Sequence, residues 1–352
     1  MDEEALIVVG LIIVLTIIII ALISISGKGN ENNNSGNYNG NYDGGHNKTV
    51  NEDNNSGNYN GNYDGGHNSN NNIANDNELK INNNIMYDLK THTISSTNPC
   101  LIIYLIDQSG SMDENFGNAA HSKAVELANA INDTIYEVGL RCIGSAGELK
   151  NRFEMAIIGY GKGGEVRSAW EGQLANKWVV SIKNVFDYPS GYAADRPTWI
   201  KPCAEGATPM TKAFENARRL CNDWINWGNH KDCHPPIIIN ITDGEATDSG
   251  PSDRLLRNEV EQIKQLRTNY GAVNILNIHI TEMSGDRILF PNEISGGTQY
   301  AKLLFEISTP LNENMMRIAQ QKGYNIQHNA RGYVFNGSAN DLINFLNIGT
   351  PQ

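Results

Sequence analysis

Uninterrupted apolar runs that alternate with helically spaced apolar residues constrain the fold of residues 99–352 more than any other feature. Leu101–Ile106 is an unbroken apolar run, as expected of a parallel strand that is buried on both faces. Apolar residues then recur at helical spacing from Ala124 to Val138, and a second buried strand is predicted at Ile237–Ile241. Strands that alternate with helices in this way predict an α/β fold, in which a doubly wound, mostly parallel sheet is flanked by helices.

The remaining elements of this domain follow the same alternation. Further strands are predicted at Met155–Ile158, Val273–Ile280 and Tyr333–Phe335, and further helices at Thr211–Trp227, Leu256–Leu266, Asn312–Lys322 and Asn340–Leu346. The stretch Gly172–Glu205 is irregular in pattern and is interpreted as an insertion. We therefore predict one α/β domain over residues 99–352.

The N-terminal segment, residues 1–27, is predicted to be a transmembrane helix that anchors the chain. Residues 5–27 carry no charge, and about 20 apolar residues in a helix span the roughly 30 Å of a bilayer's hydrocarbon core. The chain begins with Asp2, Glu3 and Glu4 rather than with the basic residues of a signal peptide. These features predict a single-pass membrane protein.

The orientation of the predicted anchor follows from the lysines around it. Lys28 and Lys48 come after the span, and no basic residue precedes it. The positive-inside rule then favours a cytoplasmic over an extracytoplasmic position for the C-terminal domain.

Residues 28–98 are predicted to form a disordered linker rich in asparagine and glycine. The segment 30–47 returns at 51–68 with a single change, Asn32 to Asp53. Such a tract has too few aliphatic side chains to bury a core, and two copies are too few for a solenoid. A flexible linker of about 70 residues has an r.m.s. span of roughly 45 Å, so we expect a tether between anchor and domain.

The charge balance and the cysteines narrow the chemistry further. The formal net charge of −12 argues against a nucleic-acid-binding protein, which needs Lys and Arg to neutralise phosphates. The five cysteines are odd in number and without a CxxC pair, which favours free thiols and a reducing compartment. The alternative is a zinc site, but its candidate ligands lack paired spacing: Cys221, His230, Cys233 and His234.

Three loops that are predicted to leave the carboxyl edge of the sheet contain the residues of a candidate metal site. The first strand ends in D-Q-S-G-S, with Asp107, Ser109 and Ser111. Thr208 lies in G-A-T-P-M just before a helix, and the second buried strand ends in I-T-D-G-E, with Asp243. Open α/β sheets bind ligands at this edge, and Mg²⁺ prefers hard oxygen ligands such as these hydroxyls and carboxylates. A cation held mostly by neutral hydroxyls should attract a carboxylate from another molecule.

The D-x-S-x-S sequence, the later threonine and T-D-G at a strand end resemble the metal-ion-dependent adhesion site (MIDAS) of von Willebrand factor type A (VWA) domains. The likeness covers residues 98–348. It implies a Rossmann-like sheet, Mg²⁺ or Mn²⁺ at its upper edge, and a protein partner whose acidic side chain completes the coordination. It also implies roles for the five residues: direct coordination by Ser109 and Ser111, direct or water-mediated coordination by Thr208, and outer positions that hold waters and hydroxyls for Asp107 and Asp243.

The resemblance predicts a membrane-anchored VWA domain that binds a divalent metal and, through it, a carboxylate of a protein partner. One alternative is a metal-independent scaffold, or a cytoplasmic regulatory subunit of an AAA+ or signalling assembly. Another is a metal-dependent hydrolase, for which Glu245 and Asp248 lie close in sequence. No arranged His or Cys partner is visible in the sequence, so catalysis is not expected.

A glycine-rich segment after the strand at Met155–Ile158 offers a nucleotide-binding alternative. Gly159, Gly161 and Gly164 match G-x-G-x-x-G. The chain continues as V-R-S-A-W-E-G, which indicates a strand instead of the helix that a dinucleotide site needs. We therefore predict a hairpin turn here and no bound nucleotide.

Overall fold

The computed structural model of the chain describes residues 94–116, 120–280 and 287–349. The predicted anchor at residues 1–27 and residues 28–93 of the predicted linker lie outside the described residues. Within the described ranges, no helix combines the length and the apolar character that crossing a bilayer requires. The boundaries of anchor and linker therefore remain predictions from the sequence.

The described residues form twelve strands and seven α-helices. The strands are β1 (Cys100–Asp107), β2 (Phe153–Tyr160), β3 (Val166–Ser168), β4 (Val180–Ser181), β5 (Gly191–Ala193), β6 (Arg196–Thr198), β7 (Ile237–Thr242), β8 (Arg267–Thr268), β9 (Gly271–Ala272), β10 (Asn274–His279), β11 (Ile288–Leu289) and β12 (Tyr333–Phe335). The helices are α1 (Lys123–Arg141), α2 (Ile182–Asp187), α3 (Met210–Asn226), α4 (Arg254–Gln265), α5 (Gln299–Ile307), α6 (Glu313–Gln321) and α7 (Ala339–Gly349).

Eight of the strands form one sheet in the order β11-β12-β10-β7-β1-β2-β3, with β4 also paired to β2. The five central strands, from β12 to β2, run parallel. The short strands β3, β4 and β11 join antiparallel. The predicted α/β fold with a mostly parallel sheet is confirmed.

Alternate side chains of β1 point into two separate cores. Ile102 and Tyr104 pack on one face of the sheet with α1, while Leu101 and Ile103 pack on the other face with Phe214 of α3. All eight residues of β1 are buried. A strand covered by helices on both faces has no polar side, which is why its sequence is continuously apolar.

Two parts of the domain differ from the sequence prediction. Helix α5 was not predicted, although its buried Tyr300, Leu303 and Leu304 follow helical spacing. Gly172–Glu205, expected to be irregular, contains β4, α2, β5 and β6. Its Trp199 is 1% exposed, so this stretch adds to the core on the α1 face of the sheet.

The strand order also creates a crevice at the carboxyl edge. The chain leaves β1 towards β2 on one side, and later places β7 on the other side of β1. Loops after β1 and β7 therefore diverge, and this is the point at which open α/β sheets bind ligands. Ile106 pairs with Ile241, so Asp107 is level with Thr242 and Asp243 follows one residue later.

Candidate functional site

The loop after β1 is folded around Asp107, its last strand residue. The backbone N–H of Ser109 donates to Asp107 Oδ1 at 2.9 Å. The next residues form a 3₁₀ turn at Gly110–Asp113. Asp107, Gln108 and Ser109 are buried, so a carboxylate and a hydroxyl are fixed below the surface of the crevice.

The loop after β7 contacts this loop through side chains. Thr242 donates its hydroxyl to Asp107 Oδ2 at 2.6 Å. The Ser111 hydroxyl donates to Asp243 Oδ1 at 2.8 Å, and Ser109 Oγ lies 3.2 Å from Ser111 Oγ. Four of the five residues predicted for the site are therefore joined in one hydrogen-bonded network.

Thr208 reaches the same place from a third loop. The backbone N–H of Gly110 donates to the carbonyl of Gly206 at 3.0 Å, which ties this loop to the one after β1. Thr208 Oγ1 and Ser111 Oγ lie 3.9 and 3.8 Å from the point where a Cβ on Gly244 would stand. The hydroxyls of Thr208 and Ser111 thus flank one small space beside Gly244.

The glycine-rich segment G-Y-G-K-G-G supports the loop after β1 from below. It forms the predicted hairpin between β2 and the antiparallel β3, closed by a hydrogen bond from the Gly161 N–H to the Glu165 carbonyl at 3.1 Å. Gly161 has φ +143, and a Cβ there would lie 2.3 Å from the Gln108 carbonyl carbon and 2.4 Å from the Ser109 nitrogen. This glycine allows two backbones to touch where the candidate site begins.

Burial and hydrogen bonding act in opposite directions on Asp107. Burial raises the pKa of its carboxyl to about 6 from an ordinary 3.8, although hydrogen bonds from Ser109 and Thr242 lower it. The nearby charge of Asp243 raises it further. Both carboxylate oxygens of Asp107 accept from neutral donors, so a cation in the crevice would stabilise the charged form.

Lys123, which was not predicted from the sequence, lies against the site from the first turn of α1. Its Nζ donates to Asp243 Oδ2 at 2.9 Å and to Glu114 Oε2 at 2.8 Å. A lysine in the first turn of a helix opposes the helix dipole. That mismatch is the sequence signal that could have pointed to a local acidic partner.

His279, the last residue of β10, lies behind Asp243 and was also missed. Burial lowers the pKa of its imidazole to about 4, although a hydrogen bond with the Asp243 backbone raises it. Its ring contacts Tyr300 and Phe335 edge-on, with centroids 5.4 and 5.2 Å away. The histidine is therefore neutral at pH 7 and packs beneath the loop after β7.

Asp248, one of the two acidic residues considered for catalysis, caps helix α3. Its carboxylate accepts from the backbone N–H groups of Thr211 at 2.8 Å and Lys212 at 3.0 Å. The neighbouring Thr247 N–H donates to the Thr208 carbonyl at 2.9 Å. This geometry gives Asp248 a structural task, which is to hold the helix start that presents Thr208.

Asp248→Ala is expected to lower the free energy of unfolding by about 1 kcal/mol, as for loss of other N-terminal caps. It should also weaken any metal response, because Thr208 loses the fixed start of α3. Thermal unfolding with and without Mg²⁺ measures both effects. Asp223→Ala is the matched control, since Asp223 is an exposed residue near the other end of α3 and should change neither quantity.

The hydroxyl and carboxylate oxygens of the candidate site are the type of ligand that a small hard cation prefers. Within residues 94–116, 120–280 and 287–349, no group of three or more His, Cys, Asp and Glu side chains is placed to hold a metal ion. The candidate site has two carboxylates, on Asp107 and Asp243, and its other side-chain oxygens are hydroxyls.

All five cysteines are free thiols, as predicted, and burial raises the pKa of Cys233 to about 11.

The chain thus has an α/β fold with a polar site at the switch point of its sheet. No family model and no curated protein matches its sequence. Solved structures with a similar arrangement include the manganese-loaded TRAP protein of Plasmodium vivax, with 12% identity, a TM-score of 0.37, and coverage of 74% of this chain and 76% of that chain. The minor pilin PilB of Streptococcus sanguinis has 11% identity and a TM-score of 0.37, over 72% of this chain and 61% of that one.

A third similar structure is the pilus adhesin SpaC of Lactobacillus rhamnosus GG, with 12% identity and a TM-score of 0.36. The match covers 71% of this chain and 30% of the adhesin. The chain therefore spans less than two thirds of the length of either pilus protein. The fold of this chain is defined by its own strand order.

Proposed function

We propose that this chain is a VWA-type binding module that holds one divalent cation, Mg²⁺ or Mn²⁺, between the loops after β1 and β7. The observation that supports this most directly is the convergence of side-chain oxygens from three loops. Ser109 Oγ and Ser111 Oγ lie 3.2 Å apart, and Thr208 Oγ1 flanks the same space beside Gly244. In this proposal the three hydroxyls bind the ion, while Asp107 and Asp243 hold its waters and orient the hydroxyls.

The direction of the hydrogen bonds favours a cation over another polar group. The Ser111 hydroxyl donates a hydrogen bond to Asp243, so its oxygen keeps lone-pair density for a cation. Asp107 keeps the Ser109 backbone and Thr242 in place with its two oxygens. Mg²⁺ usually keeps positions for water or a partner in such sites.

The partner in this proposal is a protein that contributes an acidic side chain. The chain has a net charge of −12, so an acidic partner is repelled by the molecule as a whole. A local positive charge offsets that repulsion, and in this proposal the bound ion supplies it. We place the module in the cytoplasm, tethered by the predicted anchor and linker, and regard it as a binding protein without catalytic activity.

The test is metal-dependent thermal unfolding of the full chain, purified in detergent. Mg²⁺ or Mn²⁺ at 100 times its dissociation constant should stabilise the folded state by about 2.7 kcal/mol, which corresponds to a rise in Tm of roughly 5–10 °C for a domain of this size. Ser111→Ala should remove the rise, because it deletes one hydroxyl ligand. Asp113→Asn should keep it, since Asp113 is an exposed carboxylate in the same 3₁₀ turn.

Acetate serves as a mimic of the partner's carboxylate in the same assay. Excess acetate should add to the shift in Mg²⁺ and have no effect in EDTA. If neither ion shifts the Tm of the wild-type chain, with or without acetate, the metal-dependent proposal fails. The metal-independent scaffold would then be the better description.

A further inference from the structure

Lys123 places a buried ammonium group against one of the residues of the proposed metal site. The side chain of Lys123 is 4% exposed, and that of Asp243 is 1% exposed. Their ion pair, Nζ to Oδ2, measures 2.9 Å. The second partner of Lys123 is Glu114, whose side chain is 58% exposed. The site therefore contains the charged ammonium group of Lys123, in contact with Asp243, before any metal ion binds.

The pairing changes the charge that a metal ion would meet. Both oxygens of Asp243 are engaged, Oδ1 by the Ser111 hydroxyl and Oδ2 by Lys123. Asp107, by contrast, accepts from the backbone and side chain of Ser109 and from the Thr242 hydroxyl, all of which are neutral donors. Of the two carboxylates, Asp243 is the one whose charge Lys123 already offsets, so a divalent ion would gain less attraction from Asp243 than from Asp107.

On the basis of the function proposed above, we propose that Lys123 has opposite effects on the affinity of this site for the metal ion and for the partner's carboxylate. Its charge weakens the binding of the divalent cation and strengthens the binding of a carboxylate to the loaded site. A unit charge next to a divalent ion changes its affinity by at least about tenfold, even with strong solvent screening.

An alternative role for Lys123 is structural, namely to hold the loop after β1 against the loop after β7. Backbone contacts already join Glu114 and Asn115, after β1, to the residues where α1 begins. The Lys123 N–H donates to the Glu114 carbonyl at 2.9 Å, and Asn115 forms an antiparallel bridge with Ser122. These contacts do not need the ammonium group, so neutralising it should leave the loop in place.

The experiment compares Lys123→Met with the wild-type full chain by calorimetric titration of MgCl₂ and MnCl₂. Methionine is close to lysine in length and carries no charge. We expect the Kd of each ion to fall at least about tenfold, and acetate binding to the Mg²⁺-loaded protein to weaken by a similar factor. Lys123→Arg, which keeps the charge, should behave as wild type.

Lys201→Met is the matched control for removing a lysine charge. Its side chain is 70% exposed and pairs with Glu171 at 3.4 Å. It should leave both affinities unchanged. If Lys123→Met does not fold, as judged by circular dichroism, Lys123→Gln provides the same neutralisation with a polar head that can still donate to Asp243.

The outcomes separate this inference from the function on which it rests. A neutral variant that binds metal more weakly than wild type, or equally well, overturns the role of Lys123 and leaves the metal site standing. If the wild type and every Lys123 variant fail to bind either ion, the proposed function fails, and the inference with it. Binding that becomes measurable only in Lys123→Met supports both.

Discussion

Asp107→Asn should stabilise the metal-free protein at neutral pH and abolish its response to Mg²⁺. Burial raises the pKa of Asp107 to about 6 from an ordinary 3.8, so the folded state holds the proton more tightly than the unfolded state. The stability that comes from the protonated form is fully present below pH 3.8 and is lost as the pH rises through about 6. The difference between these pKa values corresponds to about 3 kcal/mol above pH 7. Asparagine avoids this penalty because it carries no charge.

The hydrogen bonds around Asp107 can accept asparagine. The Oδ1 atom would still accept from the Ser109 N–H. The new Nδ2 would donate to the Thr242 hydroxyl, which can turn to donate to the Gly244 carbonyl, 3.1 Å away. The substitution therefore removes the charge and keeps the loop, which separates an effect on the metal from damage to the fold.

Thermal unfolding of the full chain in EDTA at pH 5 and pH 8, repeated with Mg²⁺, measures this prediction. The wild type in EDTA should lose stability between the two pH values relative to Asp107→Asn, and only the wild type should gain from Mg²⁺. Asp113→Asn is again the control, because Asp113 is exposed. A variant that is less stable than wild type in EDTA and still responds to Mg²⁺ would contradict the assignment of Asp107.

The main strands and helices of the fold were predictable from the sequence because each central element shows its periodicity locally. The apolar run of β1 and the helical spacing of α1 need no knowledge of distant residues. Helix α5 was missed although its buried residues have the right spacing. Helix α6 is equally short and was predicted, so the miss reflects the irregular stretch that precedes α5, which breaks the alternation of strands and helices.

The polar core could not be predicted in the same way. Asn240 of β7 is fully buried, and its amide donates to Asn277 Oδ1 at 2.9 Å while its carbonyl accepts from the Tyr160 hydroxyl at 2.8 Å. These three residues come from three different strands. Nothing in the local sequence of any one strand indicates that the others will supply its hydrogen bonds.

The residues of the candidate site fall into the same two groups, those that a local sequence motif reveals and those that only packing reveals. The residues of D-Q-S-G-S and T-D-G stand in short motifs at strand ends, and parallel strands bring those ends together. Lys123 and His279 act through contacts with Asp243 from elements far away in the chain. Their role depends on packing, and no spacing rule shows it.

Gly161→Ala should be among the most damaging single substitutions in the domain. A Cβ at this position would overlap the backbone of Gln108 and Ser109, at 2.3 and 2.4 Å. Backbone atoms cannot move aside as the end of a side chain can, and φ of +143 is itself unfavourable for alanine. We expect a loss of roughly 3 kcal/mol or more in the free energy of unfolding, which lowers Tm by at least about 6 °C.

Gly163→Ala is the matched control two residues further along the same hairpin. Gly163 also has positive φ, +66, but a Cβ there would have no atom within 4 Å. It should cost about 1 kcal/mol, the strain of a left-handed alanine alone. The difference between the two variants, measured by thermal unfolding in EDTA, isolates the contact with the loop after β1.

The metal response of the two variants gives the more specific result. In Gly161→Ala we expect the overlap to displace the backbone of Gln108 and Ser109. Because Ser109 carries one of the hydroxyls of the proposed site, the rise in Tm with Mg²⁺ should shrink or vanish even where the variant folds. In Gly163→Ala the rise should equal that of the wild type. Equal responses in both variants would mean that the hairpin supports the fold without positioning the site.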